Sequence, residues 1–291
     1  MSIKQATEPP DRLTLDKDRR LGEIITQMAG EGKIMLAYSG GVDSTYLLIR
    51  AHRLVGEKVV AAIAASETFP TREYNAAILI ARRYGIAVHE TSVSEFANPQ
   101  FVANQPDRCY HCKTGLYSHL NEAAQQLSCS FIWDGSNIDD LGDYRPGLKA
   151  KQEQGLRSPL QEAGLSKLEI RQLSYAMGIP TWNKPSFACL SSRIPYGTEI
   201  DRKKIDQLDE AETYLLSLGF YQVRVRHHGE IARIEIDPDE MELMFKYNAE
   251  VDRRLRQLGF NYVTLDLQGY RTGSMNERLG AARHVNEAGA L

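Results

Sequence analysis

The sequence has no apolar run long enough to span a membrane, and its polar first twenty residues lack the apolar core of a signal peptide. Positive charge is not in excess, since the formal net charge is −3 at pH 7, and this balance disfavours a general attraction to nucleic acid. Cysteine is scarce, at 4 of 291 residues, which argues against a disulfide scaffold. No internal repeat or low-complexity segment is present. We therefore expect a cytoplasmic protein with no membrane segment and no nucleic-acid partner.

Short apolar runs alternate with helical patterns through most of the chain, whose length suits one large domain and a smaller one. This alternation predicts an α/β fold with a doubly wound parallel sheet and ligands at the carboxyl ends of its strands. The predicted strands are 32–37, 58–65, 87–93 and 129–135, and the predicted helices are 44–56, 71–85, 113–127 and 164–178. The last helix begins with Ser166 and Glu169 at capping-box spacing.

The pattern changes after Gly197 to helix, strand, strand, helix and strand, which predicts a small αββαβ domain. We therefore expect four regions along the chain. They are a flexible polar tail (1–20), a nucleotide-binding domain (21–197), a substrate or oligomerisation domain (198–270) and a flexible C-terminal tail (271–291).

The segment YSGGVDS (38–44) lies between the first predicted strand and the first predicted helix of the sheet domain. Its backbone N–H groups belong to a helix N-terminus, where unsatisfied donors and the helix dipole favour an anion. A Walker A loop does not fit, because no lysine follows Gly41 to reach the β- and γ-phosphates. A glycine turn that only caps the helix is the alternative, although a plain cap needs one Ser or Asp rather than this cluster.

SGGVDS after an apolar strand resembles the PP-loop of the N-type ATP pyrophosphatases. Members of that family split ATP between the α- and β-phosphates and adenylate their substrates. The resemblance implies phosphate contacts from Ser39, Gly40, Gly41 and Ser44, with Asp43 near the phosphates and their Mg²⁺.

The four cysteines divide into two kinds by their neighbours. Cys129 lies within an apolar strand, and we interpret it as a small core residue. Cys109 and Cys112 lie among Arg, Tyr, His and Lys at the start of a predicted helix, where the helix N-terminus and basic neighbours would lower the thiol pKa. Their spacing lets both thiols face one metal ion or each other.

A third chemically interesting cysteine, Cys189, lies in KPSFACLSSRIPYG (184–197). A structural zinc at Cys109 and Cys112 would need further ligands, and His111 points away if the two cysteines share one helix face. Three thiolates on a [4Fe–4S] cluster would leave one iron open, which is a catalytic arrangement.

Several later motifs together resemble the LarE-type ATP-dependent sulfur transferases of nickel-pincer nucleotide biosynthesis. They are RCYHCK, GSNIDDLGDYRPG (135–147), KPSFACLSSRIPYG and VRVRHHGEIARIEI, and with SGGVDS the match runs from about Ile24 to Glu277. The resemblance implies that the enzyme adenylates the carboxylates of pyridinium-3,5-biscarboxylic acid mononucleotide and converts them to thiocarboxylates. It also implies a homo-oligomer, which we expect to be a hexamer.

The resemblance leaves two sulfur donors open. One kind of family member has a lone cysteine at the position of Cys189, which gives up its own sulfur. The other kind has three cysteines that hold a [4Fe–4S] cluster, whose open iron is thought to carry a sulfide. This sequence has Cys109, Cys112 and Cys189, and so it matches the second kind.

A substrate with a phosphate and carboxylates needs cationic partners. Arg193 follows Cys189 by four residues, with Ser192 beside it, and we predict both as substrate-binding residues and Arg193 as a catalytic one with Cys189 and Asp43. Arg224 and Arg226 alternate with valines, so both project from one face of a strand toward the substrate, or alternatively form a solvated face paired with Glu235.

The acidic motif after the fourth strand has two interpretations, an ordered loop over the site or an acidic turn that caps a helix. Its residues are Asp139, Asp140, Asp143, Tyr144 and Arg145. We assign no role to His227 or His228.

Three other functions share parts of this pattern. A tRNA-thiolating enzyme has the same loop and cluster, but it needs a basic face that the charge balance does not indicate. A non-catalytic ATP sensor would leave the cysteines and arginines without a purpose. An amidotransferase-type synthetase would carry a glutaminase segment, and none occurs in this sequence.

Overall fold

Continuous apolar runs form a parallel sheet that is buried on both faces, as parallel sheets require. The computed structural model describes residues 3–142 and 146–271. Its strands are β1 (Lys33–Ala37), β2 (Val59–Ala65), β3 (Val88–Ser92), β4 (Cys129–Trp133), β5 (Val223–His228), β6 (Ile231–Ile236) and β7 (Tyr262–Leu265). Across these residues, no helix combines the length and apolar character that crossing a bilayer demands.

The helices connect these strands. They are α1 (Ile3–Ala6), α2 (Arg12–Glu31), α3 (Val42–Val55), α4 (Thr71–Arg83), α5 (Pro99–Val102), α6 (Arg108–Gln126), α7 (Pro146–Glu153), α8 (Pro159–Glu162), α9 (Lys167–Ala176), α10 (Arg202–Ser217) and α11 (Met241–Gln257).

The chain divides into two compact units. The first unit contains the described residues up to Phe101 and those from Pro106 to Phe187, and the second contains Val102–Gln105 and the described residues from Ala188 onward.

The first unit contains a parallel sheet with the strand order β3-β2-β1-β4. Alternate β1 residues point to opposite faces, so Ile34 and Leu36 join one apolar cluster and Met35 joins another. The first cluster includes side chains of α2, α3, α4 and α9, and the second includes side chains of α6 and α7. Helices therefore cover both faces, which confirms the predicted doubly wound α/β fold.

The second unit contains the predicted αββαβ order, formed by α10, β5, β6, α11 and β7. Its sheet has the order β5-β6-β7, with β5 antiparallel and β7 parallel to β6. The side chains of Val223, Val225, Ile234 and Ile236 are buried on one face of this sheet.

The units differ from the predicted regions at two places. The predicted flexible tail at 1–20 instead contains the first half of α2, which Asp11 caps by accepting a 2.7 Å hydrogen bond from the Thr14 N–H. The second unit includes Val102–Gln105, and its longer segment begins at Ala188 rather than at 198. The Asn104 amide in that unit donates to the carbonyls of Pro195 and Thr198, which ties the intervening segment to it. The predicted C-terminal tail beyond Arg271 lies outside the described residues.

Candidate functional site

The SGGVDS segment forms the turn between β1 and α3, at the carboxyl edge of the parallel sheet. The hydroxyl oxygens of Ser39 and Ser44 are 3.1 Å apart, and the Gly41 N–H lies 3.4 Å from the Ser39 Oγ. These distances exceed the usual values of about 2.7–2.8 Å for hydroxyl donors and about 2.9–3.0 Å for N–H donors, so the contacts within the loop are weak. The loop therefore presents two hydroxyls and the first N–H groups of α3 to an anion.

Two glycines hold this loop against its neighbours. Gly40 has φ +70°, and a Cβ at this position would lie 2.5 Å from the Ala77 Cβ on α4. A Cβ on Gly135, which follows β4, would lie 2.9 Å from the Ser44 backbone nitrogen. Side chains at these positions would push α4 and β4 away from the loop, so both glycines set its shape.

Asp43 lies in the first turn of α3 and pairs with a lysine that is distant in sequence. The Lys167 Nζ is 2.5 Å from the Asp43 Oδ2. Burial raises the pKa of the Asp43 carboxyl, and the positive charge of Lys167 opposes that rise. The buried Asp43 Oδ1 has no hydrogen-bond partner among the described residues. A buried oxygen in this state fits a cation, and the residues present are therefore compatible with the predicted Mg²⁺.

A second lysine that the sequence interpretation missed, Lys184, lies beside the same loop. Its Nζ donates a 3.0 Å hydrogen bond to the Gly40 carbonyl and lies 2.6 Å from the Glu73 Oε2. The sequence signal was present, because Lys184 is the first residue of the motif that contains Cys189. Because Lys184 is far from SGGVDS in sequence, no local pattern indicates its contact with the loop.

Cys109 and Cys112 both lie at the start of α6, which begins five residues before its predicted start. Residues three apart share a helix face, so the two half-buried thiols project to the same side. The Cys112 Sγ donates to the Glu95 Oε1 over 2.9 Å, and Glu95 is 6% exposed. The ring Nε2 of His111 lies 3.2 Å from the Asp107 Oδ2. Two thiols on one face fit a pair of ligands for the implied cluster.

The third predicted ligand, Cys189, belongs to the second unit, where it is half-buried with its Sγ 3.0 Å from the Ser191 Oγ. Among the side chains of the described ranges, no three or more of His, Cys, Asp and Glu stand close enough together to hold a metal ion. The three-cysteine cluster therefore stays a prediction.

Arg193 is 1% exposed, and its guanidinium is engaged by the protein itself. Its Nε and Nη2 donate to the two carboxylate oxygens of Glu212 over 2.8 and 2.9 Å. Its Nη1 donates to the carbonyls of Ala188 and Cys189 and to the Ser192 Oγ, over 2.8–3.1 Å.

This arrangement differs from the predicted substrate contact of Arg193. All of these donors point to protein acceptors, so the side chain holds the backbone on both sides of the Cys189 Cα. The geometry favours a positioning role for Arg193, and Ser192 contributes its hydroxyl to the same network. The sequence motif shows that Arg193 lies near Cys189, but it does not show whether the guanidinium faces the protein or the substrate.

Arg224 and Arg226 project from one face of β5, as predicted, and their cross-strand neighbours on β6 are Glu235 and Arg233. Arg226 donates to the Glu235 Oε2 over 2.7 Å and to the Ser192 carbonyl over 2.9 Å. Glu235 is fully buried, so this face is not the solvated face of the alternative interpretation.

The Arg224 side chain is 6% exposed and lies over the Tyr270 ring, 5.2 Å from its centroid. Burial, with the nearby positive charge of Arg193, lowers the pKa of Arg224 to about 10. Several arginines are thus concentrated in one buried region of the second unit. The carboxylates of Glu212 and Glu235 offset part of this positive charge, and substrate binding by Arg224 and Arg226 stays a prediction.

The acidic motif serves as a cap where it is described. The Asp139 Oδ2 accepts from the Lys167 N–H at the start of α9 over 2.8 Å, and the Asp140 Oδ2 accepts from the Asn137 N–H over 3.0 Å. These contacts favour the capping alternative over a loop that covers the site. The remaining members of the motif, Asp143, Tyr144 and Arg145, lie outside the described residues.

Two further predictions concern residues without a catalytic role. Cys129 lies in β4 and packs beside the apolar cluster on one sheet face, and burial raises the pKa of its thiol. His227 is buried, with its Nε2 3.4 Å from the Gln207 Oε1 and its ring against Phe260. Cys129 therefore has the core surroundings that the sequence predicts, and His227 is a buried ring for which the sequence predicts no role.

Comparison with known proteins supports the interpretation of the loop. No model of a protein family matches the chain. An uncharacterized protein of Synechocystis is 43% identical over 260 residues, which cover 88% of this chain and 97% of that protein. A pyridinium-3,5-bisthiocarboxylic acid mononucleotide synthase of Lactiplantibacillus plantarum is 42% identical over 252 residues, 86% of this chain and 91% of that enzyme.

A more distant similarity covers about half of the chain. One of the proteins that form the glutamine-hydrolyzing GMP synthase of Thermococcus kodakarensis is 24% identical over 168 residues, which cover 54% of this chain and 54% of that protein. Together with the loop geometry, this similarity supports the PP-loop superfamily and the use of ATP. The near-complete alignment with the Lactiplantibacillus enzyme is more specific, and the chain belongs to the pyridinium-3,5-bisthiocarboxylic acid mononucleotide synthase family, the LarE-type sulfur transferases.

Proposed function

We propose that this protein adenylates the carboxylates of pyridinium-3,5-biscarboxylic acid mononucleotide with ATP and converts them to thiocarboxylates, in nickel-pincer nucleotide biosynthesis. The observation that supports this proposal most strongly is 42% identity, over 86% of the chain, to an enzyme named as the synthase of the bisthiocarboxylic acid mononucleotide. The proposed reaction takes place in the cytoplasm, and the enzyme assembles as a homo-oligomer, a hexamer.

The first step activates a poor electrophile. A substrate carboxylate oxygen attacks the α-phosphorus of ATP, the bond from that phosphorus to the oxygen bridging it to the β-phosphorus breaks, and pyrophosphate leaves. The donors of the loop at Ser39, Gly41 and Ser44 would hold the phosphates during this step. Mg²⁺, when bound through the Asp43 Oδ1, would neutralise phosphate charge.

The second step exchanges oxygen for sulfur. A sulfur nucleophile attacks the acyl carbon, and AMP leaves with the former carboxylate oxygen. We propose Cys109, Cys112 and Cys189 as the ligands of a [4Fe–4S] cluster, which when bound would supply sulfide to this step. If instead Cys189 alone is the donor, its thiolate forms a thioester at the acyl carbon, and loss of the Cα proton with cleavage of the Cβ–Sγ bond releases the thiocarboxylate and leaves dehydroalanine, so that the chain is lighter by one H₂S.

The second unit would bind the charged substrate. Arg224 and Arg226 lie on one buried sheet face, where burial and, after it, the charge of Arg193 lower the pKa of Arg224, and an anionic substrate would compensate the Arg224 charge. Arg193 would act by fixing the carbonyls of Ala188 and Cys189, so that the Cys189 side chain is held in one direction.

Anaerobic turnover with ATP, Mg²⁺, the biscarboxylic acid mononucleotide and sulfide tests this proposal. We expect AMP, pyrophosphate and a thiocarboxylate product identified by mass spectrometry, with more than one sulfur transferred per chain after cluster reconstitution. A ceiling of one sulfur per chain, with Cys189 lighter by one H₂S, would reject the cluster as donor and leave the adenylation chemistry intact. Thiolation of bulk tRNA with no reaction of the mononucleotide would reject the substrate.

A further inference from the structure

Lys184 lies beside the PP-loop but has no part in the reaction steps proposed for this protein. It is more than a hundred residues away from the loop in sequence, yet its Nζ donates to the Gly40 carbonyl over 3.0 Å. The same ammonium lies 2.6 Å from the Glu73 Oε2, and its side chain is 17% exposed. An ammonium in this position is adjacent to the hydroxyl and N–H donors of the loop.

Arg171 and Phe187 contact Lys184 at its backbone and at its side chain. Arg171 of α9 donates from its Nη1 to the Trp182 carbonyl and from its Nη2 to the Lys184 carbonyl, over 2.7 and 2.8 Å. The ammonium also lies 5.3 Å from the centroid of the Phe187 ring. Because the Arg171 side chain is buried, the Lys184 backbone is fixed to α9 and its side chain is directed toward the loop.

The partner of Lys184 belongs to the helix that packs on the loop. Glu73 lies one turn before Ala77 on α4, and Ala77 is the residue that leaves no room for a Cβ on Gly40. The ammonium therefore lies between the Glu73 carboxylate and the Gly40 carbonyl. Both oxygens, the first in an ion pair with Lys184 and the second in a hydrogen bond, are next to the place where the loop would hold an anion.

The loop's other lysine has a different partner. The Lys167 Nζ pairs with the Asp43 Oδ2, and it thereby compensates a carboxylate that the proposed reaction assigns to Mg²⁺. Lys184 has its carboxylate partner on α4 instead, outside the loop. An ammonium with such a partner can exchange it for a phosphate oxygen without uncovering a carboxylate of the loop itself.

We propose that Lys184 supplies the cation that a Walker A lysine would provide, and that its ammonium binds the pyrophosphate part of ATP and stabilises it as the leaving group. This inference rests on the proposed ATP chemistry and adds a residue to it. When ATP binds, the Lys184 ammonium exchanges Glu73 for an oxygen of the β- or γ-phosphate. It transfers no proton, and its charge offsets the negative charge that develops on pyrophosphate as the bond from the bridging oxygen to the α-phosphorus breaks.

Nucleotide binding by the full chain separates this role from a structural one. Lys184→Met keeps most of the length of the side chain and removes its charge, and isothermal titration would compare the binding of Mg·ATP, pyrophosphate and AMP. Because a charge-assisted hydrogen bond to a phosphate is lost, we expect ATP and pyrophosphate to bind about tenfold to a hundredfold more weakly, with AMP affinity unchanged. Lys184→Arg should restore part of the ATP affinity.

Two further variants act as controls. Glu73→Gln removes the carboxylate partner and should leave ATP affinity unchanged or increase it, because the ammonium no longer has to leave an ion pair. Lys58→Met removes a similar contact, from Lys58 Nζ to the Ala29 carbonyl over 2.8 Å, at the amino end of β2, and should change neither affinity. Melting temperatures would show that all variants are folded.

The result that would overturn the proposal is equal weakening of ATP and AMP by Lys184→Met, or the same loss of ATP affinity in Glu73→Gln. Either outcome would assign Lys184 to a structural tie between α4 and the loop. The measurement needs no acceptor substrate, so it can be read even if the sulfur-transfer proposal fails. Absence of ATP binding in the unmodified chain would instead reject the proposed function itself.

Discussion

Replacing Arg193 by methionine tests whether this arginine is a structural anchor for Cys189 or a substrate ligand. Arg193 and Glu212 are both fully buried, and the guanidinium binds the carboxylate with two parallel hydrogen bonds. Glu212 also accepts the backbone N–H of Val225 over 3.0 Å, on the outer edge of β5. Methionine fills a similar volume but leaves Glu212 as a buried carboxylate without its cation.

The expected cost follows from this burial. Removing one partner of a fully buried ion pair destabilises a protein by about 3–5 kcal/mol, because the other charge stays buried and uncompensated. The double variant Arg193→Met/Glu212→Gln should cost less than the sum of the two single variants, since no isolated charge is left. The loss falls on the second unit, where all of these contacts lie.

The assay must report on the second unit. Both tryptophans, Trp133 and Trp182, belong to the first unit, so tryptophan fluorescence would miss a local effect. Hydrogen exchange of the Val225 amide, which Glu212 binds directly, is the appropriate measurement. A loss of about 3–5 kcal/mol corresponds to exchange faster by about a hundredfold to a few thousandfold.

A second readout separates the two roles of Arg193. If the side chain positions Cys189, Arg193→Lys should lower the rate of sulfur transfer with little change in the KM for the mononucleotide, because lysine cannot reproduce the fork of donors. Unchanged exchange at Val225 together with a raised KM would refute this reasoning and restore Arg193 as a substrate ligand.

The remaining predictions concern the loop and the cysteines. ATP turnover should yield AMP and pyrophosphate, and ADP and orthophosphate as the only products would contradict a PP-loop reaction. Asp43→Ala should abolish the formation of AMP and pyrophosphate without unfolding the protein. Since burial raises the pKa of Asp43 above its unfolded value, its stabilising contribution is present at low pH and is lost as pH rises through the folded pKa. Asp43→Asn should accordingly raise the melting temperature at neutral pH relative to the unmodified protein, and this difference should shrink on acidification. Alanine at Cys109, Cys112 or Cys189 should remove most of the iron bound after anaerobic reconstitution, whereas Cys129→Ala should retain it; full iron retention by Cys109→Ala would exclude the three-cysteine cluster.

The sequence by itself determined the features that depend on neighbouring residues. Apolar runs of strand length and helical spacing produced the alternation that forms the parallel sheet, because burial on both faces requires such runs. The strand–SGGVDS–helix order placed the loop at β1, and Ser166 with Glu169 formed the predicted capping box of α9. The αββαβ order of the second unit was also readable, since each element has its own periodicity.

Only the tertiary structure decided which distant side chains meet. Lys167 and Lys184 are separated from the loop by more than a hundred residues, and their contacts with Asp43 and Gly40 depend on how α9 and the segment after it pack beside α3 and α4. The burial of Arg193 likewise depends on Glu212 of α10, which no local pattern around Cys189 indicates. Charge and spacing are properties of the chain, whereas the partner and the exposure of a charged side chain are set by long-range packing. Long-range packing buries Arg193, which the sequence predicts to bind substrate. It also brings Lys167 and Lys184 to the PP-loop, which the sequence does not predict.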